Sequence, residues 1–169
     1  MPDLNTAFIS LGSNIQPAHN LARAVSLLRQ QADVLAVSHA YRTPPQGFHD
    51  QADFLNCAVQ LRTPLTPFAL KHEVLAQIER ELKRVRDPNN KNAPRTIDLD
   101  ISLWNNDILD YGEKPWHIPD PDILRFAHVA VPLAEIAPDY LHPLDGHTLA
   151  HIAARFADAY FEKIPLPLT

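Results

Sequence analysis

The sequence predicts an α+β domain with an antiparallel sheet, in the ferredoxin-like order β-α-β-β-α-β. Two observations lead to this prediction. Four segments have the composition of strands, and two of them, residues 54–62 and 96–104, alternate apolar and polar residues as half-buried strands do; two longer segments repeat apolar residues at helical spacing. These segments follow one another in the order of that fold. With 169 residues, the chain is long enough to bury a core, so we expect a single domain over residues 1–169.

Each element has its own signal in the sequence. The first strand runs into a Gly-Ser-Asn turn, and Pro17 opens the first helix because proline suits the first helical position. After the fourth strand, a proline-punctuated C-terminal extension is expected to hold short helices near residues 133–136 and 149–156. The predicted strands span residues 7–11, 34–41, 54–62 and 96–104, and the predicted helices residues 17–31 and 67–83.

Both long helices are expected to cover the same face of the sheet. The third strand places Leu55 and Cys57 on this apolar face, and Phe54 and Asn56 on the opposite face. Residues 43–52 contain two adjacent prolines, which fix φ and exclude helix, so a rigid loop is predicted there. We therefore expect an open groove on the face away from the helices, with this loop as its roof.

The fourth strand contains the most informative motif of the chain, PRTIDLDI at residues 94–101. Its alternation predicts Asp98 and Asp100 on one face, and Ile97, Leu99, Ile101 and Leu103 on the other. Aspartate is depleted in strands, so two on one face call for a reason. Same-face neighbours lie about 7 Å apart, and such a pair can share one divalent cation or hold two, as phosphoryl-transfer sites do.

Basic residues precede this acid pair. Residues 80–95 contain six lysines and arginines against two acidic residues, in a chain of net charge −5. Because guanidinium groups bind phosphate through two parallel hydrogen bonds, Arg84, Arg86 and Arg95 predict a nucleotide-phosphate site beside the acid pair. None of the four glycines lies in a phosphate-binding loop motif. The alternative is that both charged segments are ordinary solvated surface.

Composition narrows the class of protein. The chain is 46% hydrophobic and 21% charged, as is typical of soluble globular proteins. It has no signal-peptide pattern and no apolar run long enough to span a membrane, and its single cysteine excludes an internal disulfide framework. We expect a cytoplasmic monomer with small-molecule substrates, and no membrane or nucleic-acid partner because the net charge is negative.

Several segments resemble the 6-hydroxymethyl-7,8-dihydropterin pyrophosphokinase family of folate biosynthesis, from residue 7 to about residue 143. PRTIDLDI is the most specific of them; the others are LGSN (11–14), YRTPP (41–45), DFLN (53–56), RVR (84–86) and PLAEIAP (132–138). The resemblance implies a magnesium-dependent enzyme with ATP as co-substrate and two Mg²⁺ ions. It would transfer the terminal pyrophosphate of ATP to the pterin hydroxymethyl group and release AMP.

The resemblance also implies a role for each matching residue. Asp98 and Asp100 would be the magnesium ligands, and together with Arg84 and Arg95 the catalytic residues. The pterin would contact Thr43, Pro45, Gln46, Phe54 and Asn56. ATP would contact Glu79, Arg84, Arg86 and Arg95, and the loop at residues 87–93 would close over the nucleotide.

The sequence departs from the family pattern near residue 120. Asp120, Phe126 and His128 occupy positions where the family has histidine, arginine and phenylalanine, so His117 and Arg125 are the candidates to replace the missing cations at ATP. Two alternatives therefore stay open. One is a catalytically impaired or re-specialised pterin- and nucleotide-binding paralogue, and the other is a metal-dependent hydrolase that uses the acid pair.

Overall fold

The computed structural model describes residues 3–159 and 161–166, which form a mixed α/β structure with two antiparallel sheets. The strands are β1 (Asn5–Ser13), β2 (Asp33–Val37), β3 (Ala40–Thr43), β4 (Phe54–Thr63), β5 (Asp98–Trp104), β6 (Leu109–Tyr111), β7 (Trp116–Ile118) and β8 (Glu162–Ile164). The helices are α1 (Pro17–Gln31), α2 (Pro67–Ala69), α3 (Ala76–Glu81), α4 (Asp122–Arg125), α5 (Ala127–Ile136) and α6 (Leu149–Ala154). A π-helical segment, Leu70–Leu75, joins α2 to α3, and we call the three together the composite helix.

The larger sheet has the strand order β5-β1-β4-β3-β8, with β2 also paired to β4. The predicted second strand is divided into β2 and β3 because the side chain of Ser38 replaces a backbone group. Its Oγ accepts a hydrogen bond from the Ala58 N–H at 2.9 Å, and its own N–H donates to the Ala58 carbonyl at 2.9 Å. Both halves therefore stay attached to β4.

A β-bulge in β5 changes which way its last residues face. Phe8 of β1 pairs with Leu103, whereas Ile9 pairs with Ile101, so Ser102 is an extra residue in β5. The prediction that Leu103 shares a face with Ile101 is therefore wrong, because the bulge inserts one residue and reverses the alternation. Ser102 stays on the face of the acid pair, where its Oγ lies 2.5 Å from the Ser10 Oγ.

The composite helix ends earlier than the predicted residue 83. Lys83 adopts the left-handed conformation, with φ of 63°. Its N–H donates to the Arg80 carbonyl at 3.0 Å, and the Arg84 N–H donates to the Glu79 carbonyl at 2.9 Å. This pair of bonds is the Schellman motif, which closes helix C-termini. It turns the chain so that Arg84 lies close to the start of β5.

Apolar side chains form a core on each face of the larger sheet. On one face, α1 and the composite helix pack against β1, β4 and β5, as predicted. On the opposite face, Phe8, Ala58 and Leu103 pack against α4, α5 and α6. The expectation that helices lie on one face only is therefore wrong: α5 begins at Ala127, well before the predicted segment, and covers part of the second face. The groove is restricted to the uncovered end.

Glu135, near the end of α5, connects this helix to β3 and to the residue before it. Its carboxylate accepts hydrogen bonds from the Tyr41 hydroxyl at 2.5 Å and from the His39 N–H at 2.9 Å. Partial burial acts to raise the pKa of Glu135, but the hydrogen bonds from Tyr41 and His39 outweigh it and hold the pKa below its ordinary value. Glu135 is therefore a charged anchor between α5 and β3.

We expect Glu135→Gln to lower the free energy of unfolding by about 1–2 kcal/mol at pH 7, because hydrogen bonds to a charged group are lost. A depressed folded pKa stabilises the protein above the unfolded pKa, and this contribution disappears as pH falls through the folded pKa. The difference between variant and wild type should therefore shrink at pH 4. Urea unfolding at both pH values measures it, with the exposed Glu113→Gln as control. An equal difference at both pH values would contradict the assignment.

Candidate active site

A cleft of about 560 Å³ lies at the uncovered end of the sheet. Its floor is the face of β1, β4 and β5 that points away from α1 and the composite helix. The residues from this floor are Ser10, Gly12, Phe54, Asn56, Asp98 and Asp100. The walls come from residues 43–47, from residues 91–95 and from the segment between Asp120 and Val129. Three separate loops thus surround a rigid strand platform.

One end of the cleft presents an amide and an aromatic ring. Asn56 is buried, and its Nδ2 donates to the Thr43 Oγ1 at 2.6 Å. Gly12 lies directly beneath, and a Cβ there would be 2.8 Å from the Asn56 Oδ1, so only glycine leaves room for this amide. Phe54 stands beside Asn56, with the Arg95 guanidinium 5.7 Å from its ring centre. This end can stack a flat ring and hydrogen-bond its edge.

The other end of the floor carries the acid pair. Asp98 lies opposite Gly12 in the β1–β5 register, and Asp100 lies opposite Ser10. The Arg84 Nη1 and the Arg95 Nη1 each approach one oxygen of Asp98 at 3.3 Å. Desolvation at the floor of the cleft, reinforced by the charge of Asp98, raises the pKa of Asp100 to about 6. Burial and a neighbouring carboxylate therefore both disfavour the charged form of Asp100.

Burial shifts the pKa of two further groups at the wall of the cleft. Desolvation raises the pKa of Asp120 to about 7, and the neighbouring charges of Asp122, Asp100 and Asp98 act in the same direction. Burial lowers the pKa of His128, whose ring stacks on Phe126 with centroids 5.2 Å apart. His128 is therefore a neutral ring at pH 7. The acidic side chains around the cleft disfavour one another's charge, as expected for a site that receives cations.

Glu79 and Arg84 lie beneath the floor and do not line the cleft. Their side chains are 7% and 8% exposed. Glu79 accepts from the Leu99 N–H at 3.0 Å and from the exposed Arg86 at 2.9 Å, while Arg84 donates to the Ile97 carbonyl at 2.7 Å. Glu79 and Arg84, which were predicted to contact the nucleotide, thus hold the backbone of β5 in this structure. Of the predicted phosphate-binding arginines Arg84, Arg86 and Arg95, only Arg95 lines the cleft.

The remaining predicted residues divide between cleft and surroundings. Thr43, Gln46 and Arg125 line the cleft. Pro45 is buried behind it, and its neighbour Pro44 takes the place at the wall. His117 lies outside the cleft on β7, where its Nδ1 is 2.6 Å from the Asp110 carboxylate. Of the two candidate replacement cations, the structure therefore brings only Arg125 to the site.

Lys71 is a functional candidate that sequence reasoning missed. It belongs to the π-helical segment, and its Nζ donates to the Asp100 Oδ1 at 3.0 Å and to the Leu99 carbonyl at 2.8 Å. The sequence contains one signal that could have identified it. Lys71 and Glu79 each directly follow an apolar residue on the buried face of the composite helix, Leu70 and Ile78. Both therefore stand at the border of the buried face, where a side chain can reach the neighbouring strand.

A hydrogen-bond hub joins two of the three loops around the cleft to the end of β1. The Asn14 Oδ1 accepts from the Arg95 N–H at 2.8 Å, and its Nδ2 donates to the Gln51 Oε1 at 2.8 Å and to the Ala52 carbonyl at 3.0 Å. Gln51 in turn donates to the Asn92 carbonyl at 2.8 Å. The predicted closing loop at residues 87–93 is therefore attached to the proline loop, and both are attached to the end of β1.

Comparison with known proteins decides the family. The family model of 7,8-dihydro-6-hydroxymethylpterin-pyrophosphokinase (HPPK) matches residues 8–138. The chain belongs to the HPPK family. The 2-amino-4-hydroxy-6-hydroxymethyldihydropteridine pyrophosphokinase of Bacillus subtilis is 44% identical over 135 residues, which cover 78% of each chain. The protein of the same name from Methylorubrum extorquens is 37% identical over 164 residues, 95% of this chain and 99% of that protein.

Solved structures agree with the fold. A crystal structure of Plasmodium falciparum HPPK-DHPS with SDX-DHP gives a TM-score of 0.76 over 92% of this chain, at 14% sequence identity. The structure of the same protein with pteroate gives a TM-score of 0.75. This chain spans less than half of those chains, 45% and 43%. The resemblance inferred from the sequence motifs is thus confirmed at the level of family and fold.

The acidic side chains of the cleft could take part in binding a metal ion. Within residues 3–159 and 161–166, no three or more His, Cys, Asp or Glu side chains lie together in a way that could hold a metal ion. The acid pair thus offers two carboxylates, and Mg²⁺ commonly binds through one or two carboxylates, substrate phosphates and water. The residues present fit that mode of binding. In the same part of the chain, no helix is long and apolar enough to cross a membrane.

We expect Gln51→Ala to loosen both loops attached to the hub without unfolding the core, because Gln51 lies outside the apolar cores. Backbone amides in residues 47–52 and 90–95 should exchange with solvent about fivefold faster, the effect of losing a hydrogen bond of about 1 kcal/mol. Hydrogen exchange followed by mass spectrometry measures this, with the exposed Gln30→Ala on α1 as matched control. Acceleration confined to residues 47–52 would show that the two loops are independent.

Proposed function

We propose that this chain catalyses the reaction of its family, the transfer of pyrophosphate from ATP to the hydroxymethyl group of 6-hydroxymethyl-7,8-dihydropterin, with release of AMP, in folate biosynthesis. The observation that carries the proposal is the pair Asp98 and Asp100 on the cleft floor, beside Asn56 and Phe54. It occurs in a chain that is 44% identical to a relative named for this pyrophosphokinase activity.

We propose further that Asp98 and Asp100 hold two Mg²⁺ ions. When bound, the metal would neutralise charge on the phosphates and orient them for in-line displacement. Carboxylate oxygen is the ligand type that Mg²⁺ prefers, and both carboxylates line the cleft. Support therefore comes from the chemistry of the donors and from their placement on one face of β5.

The chain's own residues would position the two substrates for the transfer. Arg95 lines the cleft, and its guanidinium is held between Asp98 and the carbonyls of Ala93 and Lys91, so it can meet the triphosphate without reorganisation. Asn56 and Phe54 would hold the pterin ring at the opposite end. In the reaction, the hydroxymethyl oxygen of the pterin would form a bond to the β-phosphorus as the bond from that phosphorus to the α,β-bridging oxygen breaks. AMP would leave with that oxygen and its electron pair, and the hydroxyl proton would pass to solvent.

The hub would also exclude water from the reacting phosphates. Asn14 and Gln51 hold residues 92–95 against the proline loop, and Gly47 and Asn92 meet so closely that a Cβ at Gly47 would lie 2.4 Å from the Asn92 amide. A nucleotide bound beneath these loops would be shielded on both sides, which favours transfer to the pterin over hydrolysis. Binding of either substrate should then favour binding of the other.

Several finer features belong to the same proposal. β1, α1, β2 with β3, β4, the composite helix and β5 would form a ferredoxin-like core, which is supported by the placement of β5 and β4 on either side of β1. The elements from β6 to β8 would then be a C-terminal extension of one domain. We also propose that the protein acts as a monomer in the cytoplasm, on small molecules alone.

An impaired or re-specialised paralogue is the second candidate function. The observation that favours it is Asp120 at the cleft wall, an acidic group where the family has a cationic one. Detection of AMP with ATP, magnesium and 6-hydroxymethyl-7,8-dihydropterin distinguishes the candidates. AMP that depends on the pterin supports transfer, AMP formed without the pterin indicates a hydrolase, and binding of both substrates without AMP indicates the paralogue.

We expect Asp98→Ala and Asp100→Ala each to lower kcat by at least about 10²-fold, because both remove a group that acts on charge in the transition state. Neither residue lies in an apolar core, so the unfolding temperature should change little. Steady-state AMP formation at saturating magnesium measures kcat, and the exposed Asp33→Ala on β2 is the matched control. Near wild-type turnover in both cleft variants would disprove the metal assignment.

Arg125 and His117 should behave differently from each other. Arg125 lines the cleft, so Arg125→Ala should lower kcat by up to about 10²-fold, the range for one group that stabilises developing charge. His117 is paired with Asp110 outside the cleft, so His117→Ala should leave kcat and the KM for ATP unchanged. Steady-state kinetics of the two variants decide between them. A larger loss in His117→Ala would mean that β7 moves into the site when ATP binds.

A further inference from the structure

The outer edge of β5 is closed by side chains. Among the described residues, β5 is the last strand of its sheet, and one of its edges has no neighbouring strand there. At Leu99, between the two aspartates, the N–H donates to the Glu79 Oε2 at 3.0 Å and the carbonyl accepts from the Lys71 Nζ at 2.8 Å. The backbone that spaces the acid pair is therefore held by one anionic and one cationic side chain from the composite helix.

The π-helical segment brings these two side chains into line. An α-helix turns about 100° per residue, so residues 71 and 79 would lie about 80° apart around its axis. The segment Leu70–Leu75 closes its hydrogen bonds over five residues, as in the bond from the Ala76 N–H to the Lys71 carbonyl. The extra residue per turn reduces the rotation, so Lys71 and Glu79 both reach Leu99. Such segments frequently mark functional sites.

The Lys71 ammonium is fixed on three sides. Besides the Leu99 carbonyl, it donates to the Asp100 Oδ1 at 3.0 Å, and it lies 5.5 Å from the centre of the Trp116 ring. Its side chain is only 12% exposed. The ammonium binds Oδ1 alone, and within the part of the chain that the structure describes the Asp100 Oδ2 has no hydrogen-bond partner. Asp100 lines the cleft.

We propose that Lys71 is a positioning residue for the acid pair: it holds the Asp100 Oδ1 and the Leu99 carbonyl, and so fixes the carboxylate with Oδ2 available to a divalent cation in the cleft. The inference rests on the proposed function, since it concerns the metal that accompanies the nucleotide. A different role for Lys71 is that of a competing cation, which would weaken metal binding by repulsion. The two roles predict opposite effects when the charge is removed.

The test compares the affinity of a non-hydrolysable ATP analogue with and without magnesium, by calorimetry. The ratio of the two dissociation constants reports how strongly metal and nucleotide assist each other at this site. We expect Lys71→Met to reduce the gain from magnesium by about 10–100-fold, the usual cost of losing a group that orients a metal ligand. The affinity for the metal-free analogue should stay the same, because Lys71 acts on Asp100. Lys71→Arg, which keeps charge and donors, should recover most of the gain.

Lys114→Met is the control, since Lys114 is exposed in the turn between β6 and β7. Thermal unfolding shows whether each variant is folded, and Lys71→Gln, which also removes the charge, replaces Lys71→Met if that variant is not folded. An unchanged or larger gain from magnesium in Lys71→Met would overturn the inference. So would equal losses with and without magnesium, which would mean that Lys71 contacts the nucleotide itself. If magnesium gives no gain in the wild-type chain, the proposed function fails and the inference with it.

Discussion

The like charge of Asp98 and Asp100 is the constraint on which the rest of the site depends. Two carboxylates on one face of a strand repel each other, and neither can be moved away without losing the cleft floor. The structure meets this constraint with cations from outside the sheet. Arg84 and Arg95 approach Asp98, and Lys71 approaches Asp100. The composite helix and the loop after it position these three cations. The helix ends in a left-handed turn at Lys83, and the loop after it is hydrogen-bonded to Asn14.

Burial of Glu79 and Arg84 beneath the floor is explained by the same constraint. Buried ion pairs are weak contributors to stability, because desolvation of the charges offsets their attraction. Here the pair also holds the backbone, since Glu79 accepts from the Leu99 N–H and Arg84 donates to the Ile97 carbonyl. The ion pair therefore fixes the position of the start of β5, and with it the orientation of Asp98 and Asp100 toward the cleft. A purely apolar replacement would pack well and leave the strand edge without partners.

The sequence predicted those parts of the fold and site that depend on periodicity. Apolar segments located the four core strands, and alternation in the third and fourth placed Phe54, Asn56, Asp98 and Asp100 on one face. The cleft brings these four residues together. It could not predict features that depend on a side chain replacing a backbone group, on a β-bulge or on a change of helix type. Ser38 divides the second strand through its hydroxyl. Ser102 forms a bulge that no glycine or proline signals in the sequence. Lys71 reaches Asp100 from a π-helical segment. The prediction also did not include the turn at Lys83 that carries Arg84 under β5.

The departures near residue 120 change the charge balance of the cleft and so how a nucleotide can enter. The cationic side chains that line it are Lys91, Arg95 and Arg125, and the acidic ones are Asp98, Asp100, Asp120 and Asp122. With more acidic than basic groups, the cleft repels a free triphosphate, whose charges would meet the floor directly. A proton on Asp120 or a metal ion at the acid pair would each reduce this repulsion. Burial, together with the neighbouring carboxylates, raises the pKa of Asp120 to about 7. Under the proposed function, a chain with aspartate at this position would depend more on bound metal for nucleotide binding than one with a cation there.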